Sequence, residues 1–322
     1  MAMSNYDNGF AGGVTIRGVP LVQSHPGKVF WVSSAAASTS EDAQVGVDSG
    51  VGSFKRPYAT LDYAVGKCKA GRGDIIFVKP GHTETLSSAT ALNLDIAGVA
   101  IVGLGSGSSR PTLTLDTATT TTIPVSAANI SIKNIIITAN FADIVSVFTL
   151  TTASDFVLDD VYVKATATDM NFLYIVDTNA TTAAADGLTL SKVVWIEPDL
   201  ATLSAIKMDG TNARVSVVDS KFVLGVNNNK AAVIAIATGK VCTALTIDNN
   251  DIYRLNTDTA TGGIILTTDG STNTGMVSCN RVQHADTAAE ILVTASSGLG
   301  FFENRASGVA GASGYLLPAA DS

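Results

Sequence analysis

The chain has 322 residues, of which 46% are hydrophobic and 15% are charged, and its mean hydropathy is +0.31. So apolar a composition excludes intrinsic disorder, while the longest apolar runs are far shorter than the roughly 18 residues that cross a bilayer. A net charge of −8 disfavours nucleic acid as a partner, because an acidic surface repels phosphate backbones. We therefore expect a water-soluble body that binds neither membrane nor nucleic acid.

Residues 1–50 are predicted to form an extended N-terminal arm. Short apolar pieces alternate here with glycines, which suits a segment that becomes ordered on the surface of a partner. Large apolar side chains dominate interface energies, and the candidate anchors are Phe10, Ile16, Leu21, Phe30 and Trp31. The alternative is a leader that packs back on its own helix. Because this segment lacks the features of a secretory signal, export by the standard route is not expected.

Residues 51–90 are predicted to form an N-terminal cap that contains one short helix. Thr60 is placed to cap the first turn, and the helix is expected to end near Gly71. The residues predicted to share its apolar face are Leu61, Ala64, Val65 and Cys68. Such a helix would cover the exposed core at the first coil of a solenoid.

An internal repeat occupies residues 91–306 and leaves 307–322 as a C-terminal tail. Apolar residues at i and i+2 are followed at i+4 by a short polar residue or glycine. The first copy is Val99-x-Ile101-x-Gly103 and the eighth is Gly300-x-Phe302-x-Asn304, at a period of roughly 28 residues. Two further apolar runs in each copy keep the same period.

Three β-branched strands per copy predict an all-β fold, a right-handed three-sided parallel β-helix of about eight coils. In such a solenoid, successive coils stack strand on strand, and alternate residues point inward. The inward stack is expected to contain Ile132, Leu158, Leu190, Val217 and Ile247.

Short polar residues at the bends are predicted to form a structural ladder. Asn and Asp tolerate a left-handed backbone and form local hydrogen bonds, which suits a corner between two strands. The expected members are Asn134, Asp160, Asp219, Asn249, Asn280 and Asn304. Lys192 falls in the same series and argues against a metal site, and the three cysteines have no metal-type spacing. We expect neither a metal nor a cofactor.

The sequence offers no convincing catalytic pair. A β-helix glycosidase needs two carboxylates about 5 to 9.5 Å apart. Asp159 and Asp160 are adjacent and should point to opposite sides of a strand, while Asp248 and Asp251 flank another bend. His82 lies in the cap, His25 and His284 have no evident acidic or nucleophilic partner, and all three are expected to be structural. We therefore predict no catalytic residues and no enzymatic activity.

One stretch of sequence resembles a known family. Pro57-x-Ala59-Thr60-Leu61-x-x-Ala64, followed by Gly71-Arg72-Gly73-Asp74-Ile75-Ile76-Phe77-Val78, resembles the N-terminal cap of pectate-lyase-like right-handed β-helices. With the Gly-rich arm before it, this stretch is similar to the β-helical virion proteins of tailed bacteriophages, which include tailspikes and capsid decoration proteins. The specific similarity covers residues 9 to about 86, and the rest of the chain matches in period only. The catalytic motifs of pectinases are not found in the sequence.

The resemblance implies a virion structural protein that is assembled in the host cytoplasm. The first expected function is that of a capsid decoration or cement protein. This protein would be a homotrimer, anchored by its N-terminal arm to the major capsid protein or another virion protein. The alternative is a tailspike or tail fibre that binds a host surface glycan, with or without degrading it. A third class, a secreted polysaccharide lyase, is disfavoured by the missing secretory signal.

Overall fold

The computed structural model describes residues 15–16, 19–20, 27–34, 45–167, 169–197, 202–225, 233–255, 265–267, 272–284, 298–308 and 314–315. The chain forms a parallel β-solenoid of about seven turns, built from three long sheets. The predicted three-sided parallel β-helix is therefore confirmed. Within the described ranges, no helix has the length and apolar character that a membrane span requires.

Sheet 1 contains ten parallel strands. They are Val29–Val32, Ile75–Val78, Ala100–Gly103, Ser131–Lys133, Val157–Asp159, Thr189–Ser191, Ser216–Val218, Leu245–Asp248, Thr274–Ser278 and Gly298–Phe302. The helical elements of the described residues are the α-helix Leu61–Val65 and the 3-10 turn Gly107–Ser109.

Sheets 2 and 3 form the other two sides of the solenoid. Sheet 2 consists of Thr83–Leu86, Thr112–Leu115, Ile136–Ala139, Tyr162–Ala165, Val194–Glu197, Lys221–Leu224, Asp251–Arg254, Arg281–His284, Arg305–Gly308 and the antiparallel Gly314–Tyr315. Sheet 3 consists of Ile123–Val125, Ile144–Leu150, Phe172–Thr178, Ser204–Met208, Ile234–Ile236 and Leu266–Thr267. Two small pairs complete the strands: Thr15–Ile16 with Val19–Pro20, and Asn212–Ala213 with Cys242–Thr243.

The inward stack of sheet 1 has the predicted register. Leu158 lies between Ile132 and Leu190, and Val217 lies between Leu190 and Ile247. All five side chains are buried in one continuous core. Because each strand contributes one such residue at the same height, a single apolar column runs along the solenoid axis.

Left-handed backbone residues flank the strands of sheet 1 on both sides. The residue that follows the strand has a φ between 48° and 58° at Asn134, Asp160, Lys192, Asp219, Asn249, Cys279 and Glu303. The residue one or two positions before the strand has a φ between 55° and 75° at Asn129, Asp155, Gly187, Arg214 and Ala244. One left-handed residue turns the chain sharply, which is how short strands meet at the corners of a narrow core.

The N-terminal cap contains the predicted helix in a shorter form. The Thr60 hydroxyl accepts a hydrogen bond from the Tyr63 N–H at 3.3 Å, so it caps the helix as expected. The helix ends at Val65 rather than near Gly71. The chain turns away after Val65 because the Lys69 N–H donates to the buried Asp74 carboxylate at 2.8 Å.

Part of the predicted arm lies inside the solenoid. Val29–Val32 is the first strand of sheet 1 and pairs in parallel with Ile75–Val78. Its other edge is closed by backbone hydrogen bonds, from the Trp31 N–H to Gly52 O and from the Tyr58 N–H to Trp31 O, both 2.8 Å. No repeat signal marks this strand, because its partner strand lies 46 residues further along the chain. The segment 27–34 therefore belongs to the cap.

Candidate functional site

The outward face of sheet 1 is apolar at its N-terminal end. Its first three strands point alternate side chains away from the core, and Phe54 lies beside them. We call this surface the N-terminal patch: Val29, Trp31, Phe54, Ile75, Phe77, Ala100 and Val102. Val29 and Phe54 are each 43% exposed. The patch ends where the next two strands place Lys133 and Asp159 at the outward position.

Three aromatic rings hold one another in place within the N-terminal patch. The Trp31 ring centroid lies 4.9 Å from that of Phe54, edge to face, and 5.1 Å from that of Phe77. The Lys79 Nζ lies 4.0 Å from the Phe54 centroid. Rings fixed in this way lose little conformational entropy when a partner covers them, which favours a rigid protein contact.

The structure separates the predicted arm anchors from one another. Trp31 faces outward in the N-terminal patch, whereas Phe30 faces inward, is 8% exposed and pairs in register with Ile76. Adjacent residues of a strand point to opposite faces, so Phe30 and Trp31 cannot serve one surface. Phe10, Leu21 and the Ile16 side chain lie outside the described residues.

Sequence reasoning missed two aromatic residues of the N-terminal patch. Phe77 occupies the third position of the strand Ile75–Val78, and strict alternation from the buried Ile76 would have placed it outward. Phe54 follows no periodic signal, since it lies in the loop that closes the edge of the first strand.

The six predicted ladder residues occupy two different positions. Asn134, Asp160, Asp219 and Asn249 are left-handed corner residues. Asn280 and Asn304 lie one residue later and are buried, because Cys279 and Glu303 take the left-handed position in those turns. The sequence pattern merged the two positions because they are adjacent in the chain.

The buried position carries a ladder of side-chain amides. The Oδ1 of Asn250 accepts from the Ser220 N–H at 2.9 Å, and that of Asn280 accepts from the Asn250 N–H at 3.1 Å. The Oδ1 of Asn304 accepts from the Asn280 N–H at 3.2 Å. Each amide nitrogen donates to a backbone carbonyl, of Val217, Ile247 or Val277. Amides engaged in this way hold successive turns together, which is a structural role.

The carboxylates considered for acid–base chemistry are engaged by neighbouring turns. Arg110 donates to both oxygens of Asp160, at 2.9 and 3.1 Å. Asp159 pairs with Lys133, and Asp251 pairs with Arg281. Asp248 accepts a hydrogen bond from the Ser278 hydroxyl. The contact between Arg110 and Asp160 spans two turns, and the other contacts join successive coils.

His82 has an acidic partner that the sequence analysis did not identify. Its ring is buried, and its Nε2 lies 3.1 Å from a carboxylate oxygen of Glu84. The same oxygen accepts from the Leu61 N–H at 3.0 Å, at the start of the helix. The pair therefore ties the first strand of sheet 2 to the helix. His25 and the His284 side chain are not among the described residues.

A polar site that was not among the candidates from the sequence lies on the outward face of sheet 3. We call it the sheet 3 cluster: Tyr174, Asp177, Lys207 and Asp209. The Lys207 Nζ lies 3.4 Å from an oxygen of Asp177 and 2.8 Å from an oxygen of Asp209. The same atom lies 5.7 Å from the Tyr174 ring centroid. Asp177 and Lys207 are 30 residues apart and meet only because one turn of the solenoid separates them.

Burial sets the protonation behaviour of this cluster. It raises the pKa of the Asp177 carboxyl above its usual value, although the Lys207 charge acts in the opposite direction. It also raises the pKa of the Tyr174 hydroxyl. Burial would lower the pKa of Lys207, but the hydrogen bond to Asp209 and the two nearby carboxylates raise it overall. The cluster thus combines a carboxyl that holds its proton unusually well with a firmly protonated amine.

Metal and thiol chemistry find no support in the part of the chain that is described. No group of three or more His, Cys, Asp or Glu side chains there could hold a metal ion. Burial raises the pKa of Cys68 and of Cys242 to about 12, so both thiols stay protonated and unreactive at neutral pH.

No protein-family model matches the sequence, and no curated protein matches it. The solved structures that resemble the chain include "Rhamnogalacturonan lyase", with 12% identity and a TM-score of 0.44 over 87% of this chain and 74% of that chain. They also include "Geobacillus virus E2 - ORF18", with 11% identity and a TM-score of 0.41 over 74% of this chain and 55% of that chain. With TM-scores below 0.5, neither similarity assigns a function to this chain.

Proposed function

We propose that this protein is a structural component of a bacteriophage virion, a capsid-surface decoration protein. It assembles as a homotrimer and attaches to the major capsid protein or another virion protein through the N-terminal end of the solenoid. The observation that carries this proposal is the N-terminal patch, a rigid aromatic surface at one end of the outward face of sheet 1. The resemblance of the cap sequence to β-helical virion proteins supports the same function.

The position of the patch suits attachment by one end. Residues 1–26 join the solenoid directly before Gly27 and the strand Val29–Val32, so the arm and the patch meet at the same end. Attachment there leaves the remaining turns to project from the capsid surface. Trp31 is the predicted energetic centre, because a preorganised aromatic residue within an apolar ring is typical of an interface hot spot.

Binding to stripped capsids tests this proposal. Trp31→Ala is expected to weaken add-back binding at least tenfold, in line with the roughly 2 kcal/mol that a hot-spot aromatic contributes. Phe302→Ala is the matched control, since Phe302 is 59% exposed and lies on the outward side of the last strand of sheet 1. Equal binding by both variants and the wild type would contradict attachment through the patch.

The sheet 3 cluster favours a second candidate function, binding or cleavage of a host glycan by a tailspike. Aromatic, carboxylate and amine groups lie side by side in this cluster, and such groups can contact the rings and hydroxyls of a sugar. The raised pKa of the Asp177 carboxyl suits a general acid. Host surface polysaccharide incubated with the protein would then release sugar ends. Under this candidate Asp177→Asn abolishes the release, and Asp159→Asn leaves it intact. No release by the wild type would exclude cleavage.

A further inference from the structure

An apolar face occupies the middle of sheet 2, on the outward side. Tyr162 and Val194 are register partners on neighbouring strands. Ile196, on the same strand as Val194, is followed in register by Val223 and Tyr253 on the next two strands. We call these five residues the sheet 2 face. Ile196 is exposed and the other four are half-buried. At the N-terminal end of the same sheet, the outward residues are threonines, among them Thr83, Thr85, Thr112 and Thr114.

The charges within the sheet 2 face are mainly positive. Lys164 lies beside Ile196, and Lys221 lies beside Val194. Their Nζ atoms lie 5.7 Å from the Tyr162 ring centroid and 5.4 Å from that of Tyr253. Neither lysine forms an ion pair with a carboxylate among the described residues, whereas Asp251 at the margin is already paired with Arg281.

Sheet 1 carries the complementary surface in the same turns. Its outward residues there are small or acidic: Val157, Asp159, Thr189, Ser191, Ser216, Val218, Thr246 and Asp248. No lysine or arginine stands among them, and Lys133 of the preceding strand pairs with Asp159 at the margin of this surface. Asp159 ends the sheet 1 strand that comes before the strand with Tyr162, and Asp248 ends the sheet 1 strand that comes before the strand with Tyr253. The two carboxylates are therefore level with the two ends of the sheet 2 face.

We propose that the sheet 2 face packs against sheet 1 of a second copy of this chain. A contact between two different sheets of successive copies generates a closed ring when the rotation closes, and here the two sheets adjoin the corner that bears Asp160, Lys192, Asp219 and Asn249. The small residues of sheet 1 let the sheets approach to the roughly 10 Å of packed sheets. This inference rests on the trimer of the proposed function and names its contact surfaces.

Charge selects this arrangement over a twofold one. A symmetric contact between two sheet 2 faces would bring Lys164 and Lys221 of one copy against the same lysines of the other, and like charges at a contact are unfavourable. In the ring, the lysines instead meet the acidic outward side of sheet 1. The arrangement therefore predicts a trimer with identical contacts between successive copies.

Light scattering on the full chain tests the proposal. The wild type is expected at three times the 33.0 kDa of the chain. The double variant Ile196→Lys, Val223→Lys is expected to be monomeric, because it places two more cations in the contact. Thr85→Lys, an exposed outward position of the same sheet, is the matched control and should remain trimeric.

A second variant keeps the test decisive if the first fails to fold. Lys164→Glu with Lys221→Glu leaves the apolar side chains in place and should lower the trimer stability at least tenfold, with an unchanged circular dichroism spectrum. A trimer unaffected by both variants would overturn the assignment of the contact, as would a monomeric or dimeric wild type. Capsid add-back reports on the proposed function separately, because the N-terminal patch is intact in every one of these variants.

Discussion

At the scale of single residues, the shape of the solenoid depends on which residues accept a left-handed backbone. Most corner positions beside sheet 1 carry Asn, Asp or Gly, which adopt this conformation at little cost. Ala244 and Lys192 adopt it as well, with φ values of 55° and 53°. The sequence predicted the corner after sheet 1 from its Asn and Asp residues. The corner before sheet 1 has a mixed composition, and no sequence pattern marked it.

Ala244→Gly should stabilise the protein by about 1 kcal/mol, because glycine removes the strain of a left-handed alanine. Ala235→Gly is the matched control. Ala235 lies in the strand Ile234–Ile236 of sheet 3, where glycine should destabilise by about 0.5–1 kcal/mol. Chemical denaturation gives both values. A loss of stability at Ala244 would mean that the corner is not left-handed.

Two buried carboxyl groups should make opposite contributions to the pH dependence of stability. The Asp177 pKa is raised by burial, so its contribution is complete below about pH 4 and is lost as the pH rises through its folded-state pKa. For Asp74, burial also acts to raise the pKa, but hydrogen bonds from Arg72, Lys69 and Lys28 outweigh it and lower the pKa overall. Its contribution is present above about pH 4 and is lost at more acidic pH.

Unfolding measured at pH 3 and pH 7 separates these two effects. Relative to the wild type, Asp177→Asn should gain stability between pH 3 and pH 7. Asp74→Asn should lose stability over the same range, because the wild type gains the hydrogen-bonded carboxylate. If both variants shifted in the same direction, one of the two assigned environments would be incorrect.

At the scale of elements, the strands of the solenoid could be predicted from the period of the repeat. The first strand of sheet 1 and the end of the cap helix could not. The inward columns were predictable because each turn repeats the same alternation of buried and exposed residues. Val29–Val32 lies outside that period, and its membership of sheet 1 depends on a partner contributed by the cap. The helix end also escaped prediction, since it is set by the tertiary hydrogen bond between Lys69 and Asp74.

Two deletions distinguish the arm from the cap. Removal of residues 2–26 should leave the melting temperature nearly unchanged, because the arm is proposed to become ordered on a partner and not on the solenoid. Removal of residues 2–32 also deletes the first strand of sheet 1 and uncovers the inward Ile76 and Val78. That variant should melt at a lower temperature and aggregate, since it exposes core and an open strand edge. Similar melting of both variants would show that the strand is dispensable.

At the scale of the whole molecule, the sequence predicted the architecture but not its working surfaces. The repeat defined a three-sided solenoid, and the resemblance of the cap suggested a virion protein. The N-terminal patch and the sheet 3 cluster were not predictable as units, because their members come from separate turns. Trp31 meets Phe77 across 46 residues, and Asp177 meets Lys207 across 30. Only the register between turns brings them together.

The measurement that most directly tests the account is a quantitative mass-spectrometric census of purified virions produced by the genome that encodes this chain. A decoration protein covers the capsid lattice, so hundreds of copies per virion are expected, in a fixed ratio to the major capsid protein. Absence of the chain from purified virions would contradict a virion function altogether. A handful of copies would contradict decoration and assign the chain to the tail.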